Sequence, residues 1–330
     1  MQPIRKRKEY ILLVCLLTLT TFALLYVFRF LDDNRLTSWQ WTFEDNRGLR
    51  VFFGTVLGIL LSAFFAKVHF SVRRPCLLLF LLSFPLAAVF WGVPEVIVDA
   101  SRYFTQAKHL ELYGIGYFFR EWGRTITAWT DMPLVPFLYG LIFLIFGESR
   151  LAIQVFTTLL FSMTVVLTYL IGKELWDEDT GFSGGILLLG IPYLFIQIPL
   201  MLVDVSTMFF LVLSIFAFMK ALTVPKARMV LFSSSTLFLV FFSKYSTWLM
   251  LSVLGIIVIV FLHARPKLGM RNILTRGAYV VVFASLLIGV VLFSKHEVFS
   301  EQIRLLMGYQ KPGLNRWHGG FLWTFLFQTP

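Results

Sequence analysis

Four short stretches of this 330-residue sequence hold residue types able to move a proton or grip an anion. In DASRYF, Asp99, Arg102 and Tyr103 fall within one helical turn, so acid and base share neighbouring faces. Asp131 directly precedes Met132-Pro133 in AWTDMPLVPF. Asp204 is the one charged residue between Phe182 and Met219, and Lys244 sits between apolar runs in FFSKYSTWL. A positioned carboxylate can take a proton from a hydroxyl, and a fixed cation can stabilise a developing anion. Each also has a plainer reading. Asp99–Arg102 suits a solvated ion pair on a loop helix, and Asp131 the N-cap of a Pro-initiated helix. Asp204 suits a solvated turn, and Lys244 a side chain snorkelling to headgroups. Arg304, Lys311, Arg316 and His318 read as a solvated stretch.

The elements that must position these residues are membrane helices. The chain is 58% hydrophobic and only 14% charged, with 37 Phe, many inside long apolar runs. A soluble domain carries about 25% charged residues, so lipid is the solvent here. Segments near span length lie at 10–29, 51–66, 76–93, 151–171, 182–200, 205–219, 228–243, 246–262 and 274–294, with a shorter one at 134–146. The expected fold is all-α: a polytopic transmembrane bundle of about nine spans plus an interfacial juxtamembrane helix. Residues 1–74 read as an N-terminal membrane hairpin, and 75–330 as the core with an outer loop at 94–150.

The net charge of +11 does not point to nucleic acid, because the basic residues cluster at the ends of apolar segments; membrane lipids are the partners it implies. Arg5 to Lys8 place the N-terminus on the cytoplasmic side, as an uncleaved first span. If 134–146 dips into the outer interface rather than crossing, Lys67, Arg73, Arg74, Lys220, Lys226, Arg228, Arg265, Lys267, Arg271 and Arg276 all fall inside. Asp99, Asp131, Asp204 and Lys244 then gather outside, with Trp122, Trp129, Tyr103 and Tyr113 as an interfacial belt or a platform for a sugar ring. Cys15 and Cys76 lie in apolar runs, which argues against a disulfide framework or a Cys-bound metal. The sequence holds no phosphate-binding G-x-x-x-x-G-K-[ST] loop, no G-x-G-x-x-G fingerprint and no H-E-x-x-H motif.

Five blocks in order carry a family resemblance over about residues 94–250: DASRYF, TDMPLVPFLYGLIFLIFGESR, LTYLIGKELWDEDTGFSGGILLLGIPYLF, MLVDVSTMFFLVLSIFAFMKAL and FFSKYSTWL. Together they resemble the GT-C superfamily of polyprenyl-phosphate-sugar glycosyltransferases, of the aminoarabinose-transferase and protein O-mannosyltransferase type (glycosyltransferase family 39). The resemblance implies inverting transfer of a sugar from a polyprenyl-phosphate donor to a glycan, lipid or protein acceptor on the non-cytoplasmic face. It implies Asp99 as the base, Arg102 and Lys244 as cations for the leaving phosphate, and Tyr103, Asp131 and Asp204 as further substrate-binding residues. No cofactor is required; Asp99 and Asp204 are the residues that could hold a divalent cation. The family's C-terminal helices are expected to be missing, as in a truncated chain, and a prokaryotic plasma membrane is the expected location.

Two other classes compete. A transporter or flippase for a lipid-linked solute would need charges inside the spans or broken helices in paired halves, and the spans are nearly free of charge. A non-catalytic relative acting as a partner subunit would share the fold without the chemistry.

Overall fold

A computed structural model describes residues 73–92, 98–264 and 268–308, with scattered positions between 53 and 64. The readings made for the 10–29 span, Arg5 to Lys8, Cys15, Lys67, Arg265, Lys267, Lys311, Arg316 and His318 lie outside the described residues. The described chain is helical, without strands.

The helices are α1 (Pro75–Ala88), α2 (Val98–Glu121), α3 (Leu134–Phe146), α4 (Arg150–Leu175), α5 (Glu178–Leu188), α6 (Pro192–Gln197), α7 (Asp204–Thr223), α8 (Ala227–Phe241), α9 (Thr247–Met250), α10 (Val253–Ala264), α11 (Met270–Ser294) and α12 (His296–Gly308). Among the described residues α4, α7 and α11 are long and apolar enough to cross a membrane; α1, α3, α8 and the α9–α10 stretch are shorter apolar helices.

Two expected helices are broken. Pro192 forces Ile191 into extended backbone (φ −96°, ψ 101°), so the 182–200 run divides into α5 and α6. The 246–262 run divides at Leu251–Ser252 into α9 and α10. The apolar character of both runs was legible; the local turns inside them were not. The loop helix around Asp99 proves to be α2, 24 residues long, broken at Gly114 (φ 81°, ψ 171°), a left-handed angle that favours glycine.

The described chain forms two compact units, one from residues 98–167 and 201–308, the other from 73–92 and 168–200. In the first unit α7 and α8 are joined by a break at Val224, extended ahead of Pro225, and α11 packs on both. Arg276 on α11 donates to the carbonyls of Leu222 (2.9 Å) and Thr223 (3.3 Å), satisfying the end of α7 with a cation where the helix dipole favours one. α2 packs along α3, where a Cβ on Gly140 would lie 2.7 Å from Leu110 Cβ and 3.0 Å from the Ala107 carbonyl.

In the second unit the end of α4 meets α5 through two glycines. A Cβ on Gly181 would fall 2.4 Å from the Tyr169 carbonyl and 2.6 Å from the Lys173 nitrogen, and one on Gly172 2.6 Å from Gly181 Cα. These are backbone atoms and cannot rotate aside. Asp177 caps α5 by accepting from the Thr180 amide at 2.8 Å. Gly181→Ala is expected to force the helices apart and cost about 1–3 kcal/mol. Gly184→Ala, whose Cβ would meet only Thr168 Cγ2 at 3.8 Å, serves as the control. Thermal unfolding of the purified protein in detergent, lowered for the first and unchanged for the second, checks this.

Candidate active site

The site grows from Arg102, one turn into α2. Its Nε lies 2.6 Å from Asp131 Oδ2, and its Nη2 donates to Asp131 Oδ1 at 3.0 Å. The same Nη2 lies 3.2 Å from Asp99 Oδ1 and 3.5 Å from the Tyr103 hydroxyl. One guanidinium thus ties two carboxylates from separate segments, holding Asp131 by one hydrogen bond from Nη2 and a close ion-pair contact at Nε.

The two carboxylates differ sharply. Asp131 is 7% exposed, and Gln106 Nε2 also donates to its Oδ2 at 3.0 Å. Asp99 has a side chain 54% exposed. Burial pushes the Asp131 carboxyl above its ordinary range, with Arg102 and Gln106 opposing the rise. Burial alone would lower Arg102, but Asp131, Tyr103 and Asp99 more than offset it and hold the guanidinium firmly charged. Tyr103, 5% exposed, is raised chiefly by burial, so it stays a neutral phenol beneath Arg102.

Asp131 does not cap α3. Pro133 occupies that cap position, with no side-chain bond to the helix. The carboxylate instead holds a loop in place. Gln106 Nε2 donates a second bond to the Thr127 carbonyl at 2.9 Å, and the Asp131 amide donates to Ala128 at 2.7 Å. From the far side Gln302 on α12 donates to the Asp131 carbonyl at 2.8 Å. Both glutamines use Nε2 on acceptors, so turning either amide over would set oxygen against oxygen; their orientation is fixed.

α12 was not legible as part of this site; the sequence reads it as tail. The available signal was its spacing, since Val298, Phe299 and Gln302 lie on one helical face. Val298 packs on Gly123 (φ 79°), whose Cβ would fall 2.1 Å from Val298 Cγ1. Phe299 joins Met132 and Phe242 in a buried cluster, and Lys295 donates to the Arg120 carbonyl at 2.7 Å. Arg304 is solvated as expected, on the outer face of α12 and paired with Glu301 at 2.8 Å.

Asp204 opens α7, and Lys244 lies in the turn after α8; the two pair at 2.8 Å, each about one-third exposed. The Leu134 amide, at the start of α3, donates to the Phe242 carbonyl at 3.1 Å, and Tyr139 on α3 donates to the Leu202 carbonyl. Asp131 and the Asp204–Lys244 pair are therefore tied through α3 to the same end of this unit. The structure joins Asp99, Arg102, Tyr103 and Asp131 in one network and Asp204 with Lys244 in another.

Trp129 stands apart on backbone grounds. Its φ of 51° is the one positive value outside glycine among the described residues, and the side chain is 59% exposed. For a bulky residue this conformation costs on the order of 1–3 kcal/mol.

The fold is an all-α membrane bundle of the GT-C type, with both carboxylate–cation networks in its first unit. The dolichyl-phosphate-mannose-protein mannosyltransferase family matches residues 130–294, half of the chain, and the chain belongs to that family. Membership implies a membrane glycosyltransferase drawing on a polyprenyl-phosphate sugar. The matched region begins one residue before Asp131 and takes in Asp204 and Lys244; Asp99, Arg102 and Tyr103 precede it and join it through Asp131. No curated protein and no solved structure matches the chain.

Gln302→Leu leaves the buried Asp131 carbonyl without its donor and is expected to cost about 1–3 kcal/mol. Hydrogen exchange should quicken across residues 127–132 in that variant. Arg304→Gln, on the solvated face of the same helix, should change neither stability nor exchange.

Proposed function

We propose that this chain transfers a sugar, mannose by the family's description, from a polyprenyl phosphate to a hydroxyl of a protein, glycan or lipid acceptor. The reaction runs at the non-cytoplasmic face of a prokaryotic plasma membrane, with the N-terminus cytoplasmic. The observation that carries the assignment of roles is the contrast between the carboxylates on Arg102: Asp131 buried and saturated, Asp99 exposed.

Asp99 is then the base. The acceptor oxygen attacks the anomeric carbon and its proton passes to the Asp99 carboxylate. The bond from that carbon to the phosphate oxygen breaks, and its electron pair leaves with the lipid phosphate, inverting the configuration. Arg102 and Lys244 supply the positive charge that the departing phosphate needs. Asp131 orients Arg102, and Asp204 holds Lys244 in position until substrate competes for it. A lipid donor can present its head at this depth while its chain stays among the apolar helices, which fixes the alignment of the reactants.

The reaction so written needs no cofactor. Asp99 and Asp204 already face cationic side chains, and among the described residues no three His, Cys, Asp or Glu side chains gather as a metal site. No step is assigned to a divalent cation; Asp99 and Asp204 would be the residues to hold one if it took part.

In a folded preparation Asp99→Asn is expected to lower the rate of sugar transfer by about 10²–10⁴-fold while leaving thermal unfolding unchanged; wild-type turnover would remove Asp99 from the mechanism. Dialysis against EDTA should leave the transfer rate unaltered, measured with radiolabelled lipid-linked mannose; loss of turnover restored by a divalent cation would reinstate a metal.

A further inference from the structure

We propose that Trp129 is a sugar-binding platform, its indole stacking on the apolar face of the pyranose that the Asp99–Arg102 network handles. The proposal rests on the glycosyltransferase reading and extends it to a residue outside the charged network.

The backbone gives the first reason. The Asp131 amide donates to the Ala128 carbonyl at 2.7 Å and closes a four-residue turn with Trp129 in its second position. Both ends of the turn are anchored: Ala128 and Met132 are buried, the Thr127 carbonyl accepts from Gln106, and Asp131 is held by Arg102, Gln106 and Gln302. Trp129 sits in this turn at a φ of 51°, an angle that only the primed turn types need at that position. Glycine would adopt it freely and asparagine nearly so. A β-turn alone gives no cause for the largest aromatic side chain here.

Burial gives the second reason. Were the indole a packing element, it would point inward like Ala128 and Met132. Instead it is 59% exposed, two residues from a carboxylate that is locked to the one guanidinium shared with Asp99. A flat, exposed apolar face carried two residues along the chain from that carboxylate suits a sugar ring, whose C–H face can meet the indole while its hydroxyls reach for the charges.

The pyranose is that of the lipid donor or that of a glycan acceptor. Two probes separate the sources: a short-chain prenyl-phosphate mannose, and methyl α-mannoside, which lacks the phosphate. Binding of each to the full chain in detergent is measured for the parent and for Trp129→Gly, Trp129→Leu and Trp129→Phe. Trp129→Gly relieves the backbone and should unfold at the same temperature as the parent or higher, so a loss of binding in it is not a loss of fold. The expected result is binding at least tenfold weaker for Trp129→Gly and Trp129→Leu, with Trp129→Phe recovering most of it. Loss confined to the lipid-linked probe assigns the platform to the donor; loss for both probes assigns it to the sugar ring itself, shared by an acceptor. Unchanged affinity in Trp129→Gly overturns the platform and leaves the glycosyltransferase reading intact. Recovery by Trp129→Leu equal to that by Trp129→Phe also overturns it, in favour of an anchor in lipid, since leucine keeps apolar contact without a ring face. A parent that binds neither probe overturns the functional reading and this inference together.

Discussion

The arrangement depends on one ion pair, Arg102 with Asp131. α2 and the loop 122–132 bring its partners from separate parts of the chain, and the pair closes only when both segments are in register. Nη2 donates to one oxygen of the carboxylate and Nε lies close against the other. Partial burial raises the stakes. Removing one partner from a fully buried pair costs about 3–5 kcal/mol, chiefly through the charge left behind, and the partial exposure of Arg102 reduces that figure here. With Asp131 committed to structure, Arg102 has its remaining reach for Asp99, and Asp99 is left with solvent on its other side. Which of the two carboxylates stays exposed follows from which one the loop buries.

The surroundings serve that pair. Gln106 and Gln302 grip the Asp131 residue from opposite sides, one at the carboxylate and one at the main chain. Phe299, Met132 and Phe242 fill the space behind it, while Leu110, Phe118, Trp122, Ile126 and Val298 fill the adjoining layer. The loop is thus anchored at Trp122, Ile126, Ala128, Asp131 and Met132, all buried, which is how a segment without regular structure can hold Trp129 in a strained conformation.

What the sequence made legible followed from physics that acts locally. Apolar runs announced α3, α4, α7, α8 and α11 to within a few residues, because lipid demands continuous hydrophobicity. The pairing of Asp99 with Arg102 could be read from three-residue spacing. The Arg102–Asp131 pair and the Asp204–Lys244 pair could not, since they join residues 29 and 40 positions apart and nothing in either segment names its partner. Asp131 read as a helix cap on equal terms, because an acidic residue before Pro is a start signal wherever it occurs; tertiary contacts overrode that signal. α12 was missed for a similar reason. Its apolar face is three or four residues wide and too short to suggest a span, yet it supplies Gln302.

The bond from Gln302 to Asp131 spans 171 positions, and this has a consequence for biogenesis. A chain made from its N-terminus inserts α2 and the 122–132 loop long before α12 leaves the ribosome. Until then the Asp131 carbonyl lacks its donor, and the Gly123 turn lacks the helix that covers it. Long-range closures of this kind come late in folding, because the entropy of a large loop must be overcome before the contact gives anything back. The loop therefore reaches its final shape only after α7, α8 and α11 have been made, and a nascent chain stalled before residue 302 would carry every residue of the charged network without the brace that sets it.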